Sequence, residues 1–110
     1  MSEVENISVE VSRPGGATVV IITGVLDALA LPSVSRELAD AQGSSDPVYV
    51  DLAGVTFMDS RGLGALLAAR ERSRDGAAPV YIHRPSDAVR RILDVSGVRS
   101  VLDEVDELPG

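Results

Sequence analysis

Apolar and polar positions alternate near the start of this chain, where Ile7, Val9 and Val11 are interleaved with Ser8, Glu10 and Ser12. A period of two puts one set of side chains on each face of an extended backbone. The segment therefore reads as a half-buried strand at or near a sheet edge. Pro14-Gly15-Gly16 marks a turn. The run from Ala17 to Gly24 is almost continuously apolar and β-branched, which predicts a strand buried on both faces and paired with the first as a hairpin. A period near 3.6 takes over at Leu31-Pro32, with Val34, Leu38 and Ala41 on one face and Gly43 as the expected stop.

Val48-Tyr49-Val50-Asp51-Leu52 predicts a third strand. A second helix is expected over 61–75, with Leu63, Leu66 and Leu67 on one face and Gly76 as its end. Val80-Tyr81-Ile82 is a fourth strand. Ser86 is the expected N-cap of a third helix, with Asp87 favourable in its first turn and Val89, Ile92 and Leu93 as its apolar face. Ser96-Gly97 ends that helix, Val101-Leu102 adds a short last strand, and the acidic stretch from Asp103 to Gly110 reads as a loosely held tail. The order β-β-α-β-α-β-α with a short final strand predicts an α/β fold. Its sheet is mixed and mostly parallel, with four or five strands, three or four helices and right-handed crossovers.

The length of 110 residues suits one domain with one core, here placed at 4–102. Hydrophobic residues make up 45% of the chain, enough for a packed interior. Cysteine is absent, which removes disulfides and thiol chemistry and agrees with a reducing, cytoplasmic setting. Neither a secretory signal nor a run near the ~20 apolar residues of a membrane span is expected. Seventeen acidic residues against ten basic give a net charge of −7, which argues against a nucleic-acid partner. Arginines cluster at Arg70, Arg72, Arg74 and at Arg84, Arg90, Arg91, but acidic residues interrupt both groups, so they read as solvated helix faces.

The candidate chemistry lies at Phe57-Met58-Asp59-Ser60-Arg61-Gly62-Leu63-Gly64, between a strand and a helix. A hydroxyl beside a carboxylate at a helix start admits two readings. Asp59 or Ser60 is an N-cap, the commoner role for these residue types. Alternatively, Ser60 is a site of phosphorylation, where about −1.5 to −2 charges would alter a docking surface at a helix N-terminus. Gly62 and Gly64 each cost roughly 1 kcal/mol inside a helix, so close approach by a strand or by a partner is expected there. His83 has no companion ligands at metal spacing. No base is placed to make Ser60 a nucleophile, and Leu67 stands where a dinucleotide fingerprint needs its third glycine. The acidic tail lacks a calcium-loop pattern. No cofactor and no enzymatic activity are expected.

From Val48 to Gly64 the sequence resembles the STAS family, specifically the bacterial anti-sigma factor antagonists. Asp59-Ser60-Arg61-Gly62-Leu63-Gly64 carries most of the likeness. Gly24-Val25-Leu26-Asp27 looks like the family's Gly-x-Leu-Asp turn, and Ile92-Leu93-Asp94-Val95-Ser96-Gly97-Val98 like its helix-end signature. The resemblance spans about Val4 to Leu102. It implies a non-enzymatic cytoplasmic regulator that switches partners. In its unphosphorylated form such a protein binds an anti-sigma factor that is a GHKL-type serine kinase, and a sigma factor is released. Phosphorylation at the position of Ser60 ends that binding, and a metal-dependent serine phosphatase restores it. The resemblance places Asp27 beside Ser60 and assigns docking to Asp27, Asp59, Ser60, Arg61, Gly62, Leu63 and Gly64.

Three departures stand out. Arg61 replaces the frequent Ser or Thr, and is either a cation for a phosphate or acidic partner or an exposed helix-start arginine. Val25 replaces a frequent acidic residue. The family's further C-terminal helix is not expected before Gly110. A rival reading is a constitutive STAS interaction subunit of a larger complex, such as a lipid-transport or stress-signalling assembly, in which Ser60 is never modified.

Overall fold

The computed structural model describes residues 6–98 and 101–108. Five strands form one sheet in the order β1-β2-β3-β4-β5. They are β1 (Ile7–Ser12), β2 (Thr18–Leu26), β3 (Val48–Met58), β4 (Val80–His83) and β5 (Glu104–Val105). The β1–β2 pair is antiparallel and the other three pairs are parallel, the mixed, mostly parallel sheet that the alternation of strands and helices predicts. The helices are α1 (Leu31–Ala41), α2 (Ser60–Arg74) and α3 (Asp87–Ser96).

The core follows from strand periodicity. Val20 and Ile22 of β2, Val48, Val50 and Leu52 of β3, and Ile82 of β4 share one face of the sheet and are fully or nearly fully buried. They join Val34 and Leu38 of α1, Leu63 and Leu66 of α2, and Val89 and Leu93 of α3 in one hydrophobic cluster. Burying a Val, Leu or Ile side chain is worth about 1.5–3 kcal/mol, so this layer fixes how the helices sit on the sheet. On the other face Tyr49 and Tyr81 stack with ring centroids 5.3 Å apart. Asp51 is buried there and bonds the Arg84 guanidinium at 2.8 Å.

The β1–β2 hairpin and the turn at Pro14 form as expected, with the Ala17 N–H donating to the Pro14 carbonyl at 3.0 Å. Ser86 caps α3 and accepts from the Val89 N–H, and Gly97 ends that helix in a left-handed conformation.

Several boundaries differ from the sequence reading; β2 runs on to Leu26, β4 runs on to His83 and α2 stops at Arg74. β3 does not stop at Leu52 but runs on to Met58, because register irregularities between Ile21/Thr23 and Gly24/Val25 of β2 let the pairing continue past Gly54. α2 begins one residue earlier than expected, at Ser60. α1 is closed by Gln42 rather than Gly43. Gln42 stays in the right-handed region, and its side-chain Nε2 donates to the Ala69 and Ala78 carbonyls. The last strand is Glu104–Val105 rather than Val101-Leu102. The acidic segment therefore supplies a strand, held by the Ile82 N–H donating to the Asp103 carbonyl at 2.8 Å. The acidic start (1–5), residues 99–100 and the final Pro-Gly (109–110) lie outside the described residues.

Candidate functional site

Two turns meet at the carboxyl ends of the parallel pair β2 and β3, where Leu26 lies beside Met58 in register. The first turn follows β2. Gly24 adopts φ +108°, and a side chain there would run into the Asn6 carbonyl. Only glycine takes this backbone without strain, which gives the Gly24-Val25-Leu26-Asp27 pattern a physical basis. Asp27 Oδ1 then accepts from the backbone N–H groups of Leu29 (3.1 Å) and Ala30 (3.3 Å), folding the turn that leads into α1.

The second turn opens α2. Asp59 has extended dihedrals (φ −109°, ψ −174°), and its Oδ1 accepts from the N–H groups of Arg61 at 3.0 Å and Gly62 at 3.1 Å. It is therefore the N-cap, and it satisfies two of the donors that a helix start leaves unpaired. The Asp59 N–H reaches the Leu26 carbonyl at 3.4 Å, tying the two turns together. Gly62 is buried against the same residue. A Cβ there would collide with the Leu26 carbonyl oxygen and lie 2.8 Å from its Cγ. Close approach by a strand is thus the reason for Gly62. Gly64 differs, because no neighbouring heavy atom lies within 4 Å of where its Cβ would be.

Ser60, at the first helical position, is exposed, and among the described residues its hydroxyl makes no hydrogen bond. Arg61 is exposed, and among the described residues its side chain is in no ion pair. Leu63 is a core residue under the helix start. The fold thus brings together the turns bearing Asp27 and Asp59-Ser60-Arg61-Gly62, with Leu26 as the packing element between them. Because Asp59 occupies the N–H groups of Arg61 and Gly62, a phosphate on Ser60 would meet a capped helix start rather than two open donors. Such a group would add negative charge next to the Asp59 carboxylate, with Arg61 as the adjoining cation.

The match with known proteins follows this geometry. A family model described as "Mlab, STAS domain" matches residues 9–103. The chain belongs to the STAS domain family. This STAS domain is 26% identical over 98 residues to the anti-sigma-B factor antagonist of Staphylococcus aureus (strain NCTC 8325 / PS 47), covering 88% of this chain and 91% of that protein. In fold it is similar to an anti-sigma factor antagonist from Mycobacterium paratuberculosis, with a TM-score of 0.83 at 24% identity over 98% of this chain and 92% of the other. It is also similar to the anti-sigma factor antagonist SpoIIAA in its unphosphorylated form. There the TM-score is 0.73 at 20% identity, with 91% and 90% of the two chains covered.

Other residues singled out in the sequence take structural places in this STAS domain. His83 is buried on β4, with Nδ1 3.2 Å from the Val105 carbonyl. No group of His, Cys, Asp or Glu among the described residues could hold a metal ion. Arg70 and Arg74 pair with Glu71, and Arg90 pairs with Glu104, as expected for mixed-charge surfaces. Arg72 and Arg84 depart from that pattern: the Arg72 Nε donates to the buried Gln42 Oε1 at 2.9 Å, and Arg84 lies off the helices, between β4 and α3, paired with the buried Asp51. No helix among the described residues is long and apolar enough to cross a membrane. Sequence patterning does not show the exposure of Phe57, which is 50% exposed on the extension of β3, or of Leu29 and Val95, which are 74% and 78% exposed. The signal for Phe57 was its place as the chain's single phenylalanine, directly before the candidate loop.

Proposed function

We propose that this STAS domain is an anti-sigma factor antagonist whose docking surface is switched by phosphorylation of Ser60. The observation that carries this is a hydroxyl that is exposed and unbonded among the described residues, on a turn held rigid from below by Asp59, Gly62 and Leu26. Such a turn can be modified without disturbing the core. The likeness to anti-sigma factor antagonists over nine-tenths of their length supports the same reading. In the unphosphorylated state the surface bearing Asp27, Asp59, Ser60, Arg61 and Gly64, supported from beneath by the buried Gly62 and Leu63, binds an anti-sigma factor serine kinase of the GHKL type and releases a sigma factor. The kinase transfers the γ-phosphoryl group of ATP to Ser60 Oγ, with loss of the hydroxyl proton and release of ADP. The new dianion beside Asp59 and Asp27 repels the acidic groups of the partner's site and fills the space of a close contact. A metal-dependent serine phosphatase hydrolyses the ester and restores binding. The domain itself is a cytoplasmic regulator without catalytic activity.

One observation favours a second reading. Asp59 already caps α2 through the Arg61 and Gly62 N–H groups, so the helix start needs no phosphate, as suits a constitutive subunit of a larger assembly. Affinity capture from source-cell lysate with wild type, Ser60→Ala and Ser60→Glu as bait separates the two. The switch requires that a GHKL-type kinase be retained by wild type and Ser60→Ala and lost by Ser60→Glu. Retention of one non-kinase complex by all three variants would establish the constitutive role.

A further inference from the structure

A groove of about 290 Å³ opens between the end of β3 and the exposed side of α3, immediately before the Asp59-Ser60 turn. Its walls include Phe57 of β3 and Ala88, Ile92 and Val95 of α3. Phe57 and Val95 are mostly or half exposed, although the chain has three aromatic residues in all and buries most of its aliphatic ones. Large apolar side chains gathered in one concavity mark an interaction surface more strongly than the same residues scattered singly. Arg91 is, among the described residues, the one charged residue lining the groove. Among the described residues its guanidinium is in no ion pair or hydrogen bond, whereas its neighbour Arg90 pairs with Glu104. In a chain of net charge −7, this groove presents apolar surface and an unpaired cation together.

We infer that the groove is a second docking point for the protein partner that engages the Ser60 turn. Its occupant is an amphipathic helix whose apolar residues seat between Phe57 and Val95 and whose carboxylate pairs with Arg91. Helix-in-groove recognition uses this combination, in which apolar anchors supply affinity and the flanking charge sets orientation. The inference rests on the Ser60 turn being a docking surface, but not on its being phosphorylated.

Two measurements test this. The first is an amide-shift titration of the full chain with 4-phenylbutyrate and, in parallel, 4-phenylbutylamine. The expected result is saturable shifts at Phe57, Arg91 and Val95. The carboxylate binds about two- to fivefold more tightly than the amine, and Arg91→Gln removes the difference, the size expected of one exposed ion pair. Absence of saturable shifts at these residues, or equal response to the two probes, overturns the proposal. The second measures the affinity of the partner recovered in the Ser60 capture, expressed and purified, for wild type, Ser60→Glu, Val95→Ser, Phe57→Ser and Arg91→Glu, with each variant's melting curve as the check on folding. Loss of about tenfold or more at Val95→Ser and Arg91→Glu, with unchanged melting, supports the groove as a docking point. Wild-type affinity in both variants overturns it, even where Ser60→Glu abolishes binding and the switch stands. Loss at the groove variants with full binding by Ser60→Glu keeps the groove and rejects the switch.

Discussion

Replacing Gly62 and Gly64 by alanine, one at a time, is expected to move stability in opposite directions. The two sites lie on the same helix, two residues apart, and receive the same methyl group. At Gly62 that methyl meets the Leu26 carbonyl oxygen and stands 2.8 Å from Leu26 Cγ. The carbonyl has little room to retreat, because it accepts from the Asp59 N–H that holds the helix start. Overpacking of this kind costs about 1–3 kcal/mol, of which improved helix propensity returns at most about 1 kcal/mol. At Gly64 nothing lies within 4 Å, so only the propensity gain remains, about 0.5–1 kcal/mol. Because the propensity gain is common to both, the two variants are expected to differ by the overpacking cost of about 1–3 kcal/mol, which for a domain of this size separates their melting temperatures by roughly 5–20 °C. Thermal and urea unfolding followed by circular dichroism read this directly. Equal shifts of the same sign would refute the argument that Gly62 is set by the strand end and Gly64 is not. Partner binding adds a second reading of the same pair. Gly64→Ala leaves the fold intact and places a methyl on exposed surface near Ser60, so any loss of affinity there is contact with the partner and not damage to the helix.

Asp59→Ala is expected to lose about 0.5–2 kcal/mol through the missing N-cap, while Asp59→Asn, which keeps an accepting oxygen, falls within a few tenths of wild type in urea unfolding. Arg84 has φ +52° and pairs with Asp51, whose side chain is 8% exposed. Arg84→Ala and Arg84→Gly both lose the ion pair, but the glycine variant is expected to be more stable by about 1 kcal/mol because it relieves the left-handed backbone, and the two melting curves test the order. Gln42→Leu leaves the Ala69 and Ala78 carbonyls and the Arg72 Nε without their partner, so a loss of about 1–3 kcal/mol is expected in chemical denaturation. Ser60→Glu, on an exposed first-turn position, is expected to change stability by less than about 0.5 kcal/mol in the same assay.

The fold was legible wherever a segment's own pattern decided it. The period of two in β1, the β-branched run of β2 and the Ser86 and Gly97 ends of α3 all appear where their residues predict. What sequence patterning missed depends on neighbours in space. β3 runs past Gly54 because β2 lies beside it and adjusts register, a fact written in neither segment alone. Val101-Leu102 is more apolar than Glu104-Val105, yet the latter forms β5 because it reaches the open edge of β4, while Leu102 packs into the core. Gln42 reads as an ordinary polar residue, and only the meeting of α1, α2 and the approach to β4 makes it a buried clamp. At the candidate site the motif located the turn and its residue types. It left open whether Asp59 or Ser60 is the cap, which the structure gives to Asp59, and it did not reveal that Gly62 and Gly64 have unrelated environments or that Phe57 and Val95 flank an apolar groove.

The strand order β1-β2-β3-β4-β5 copies the order of the chain. No strand has to be inserted between two that are already paired, so each newly made strand can dock on the growing edge. On a ribosome the β1–β2 hairpin can form first, and every later strand extends an existing template with only one helix to close over the junction. Most of the entropic cost of joining strands is then met in short local steps, which keeps unpaired apolar edges brief during synthesis.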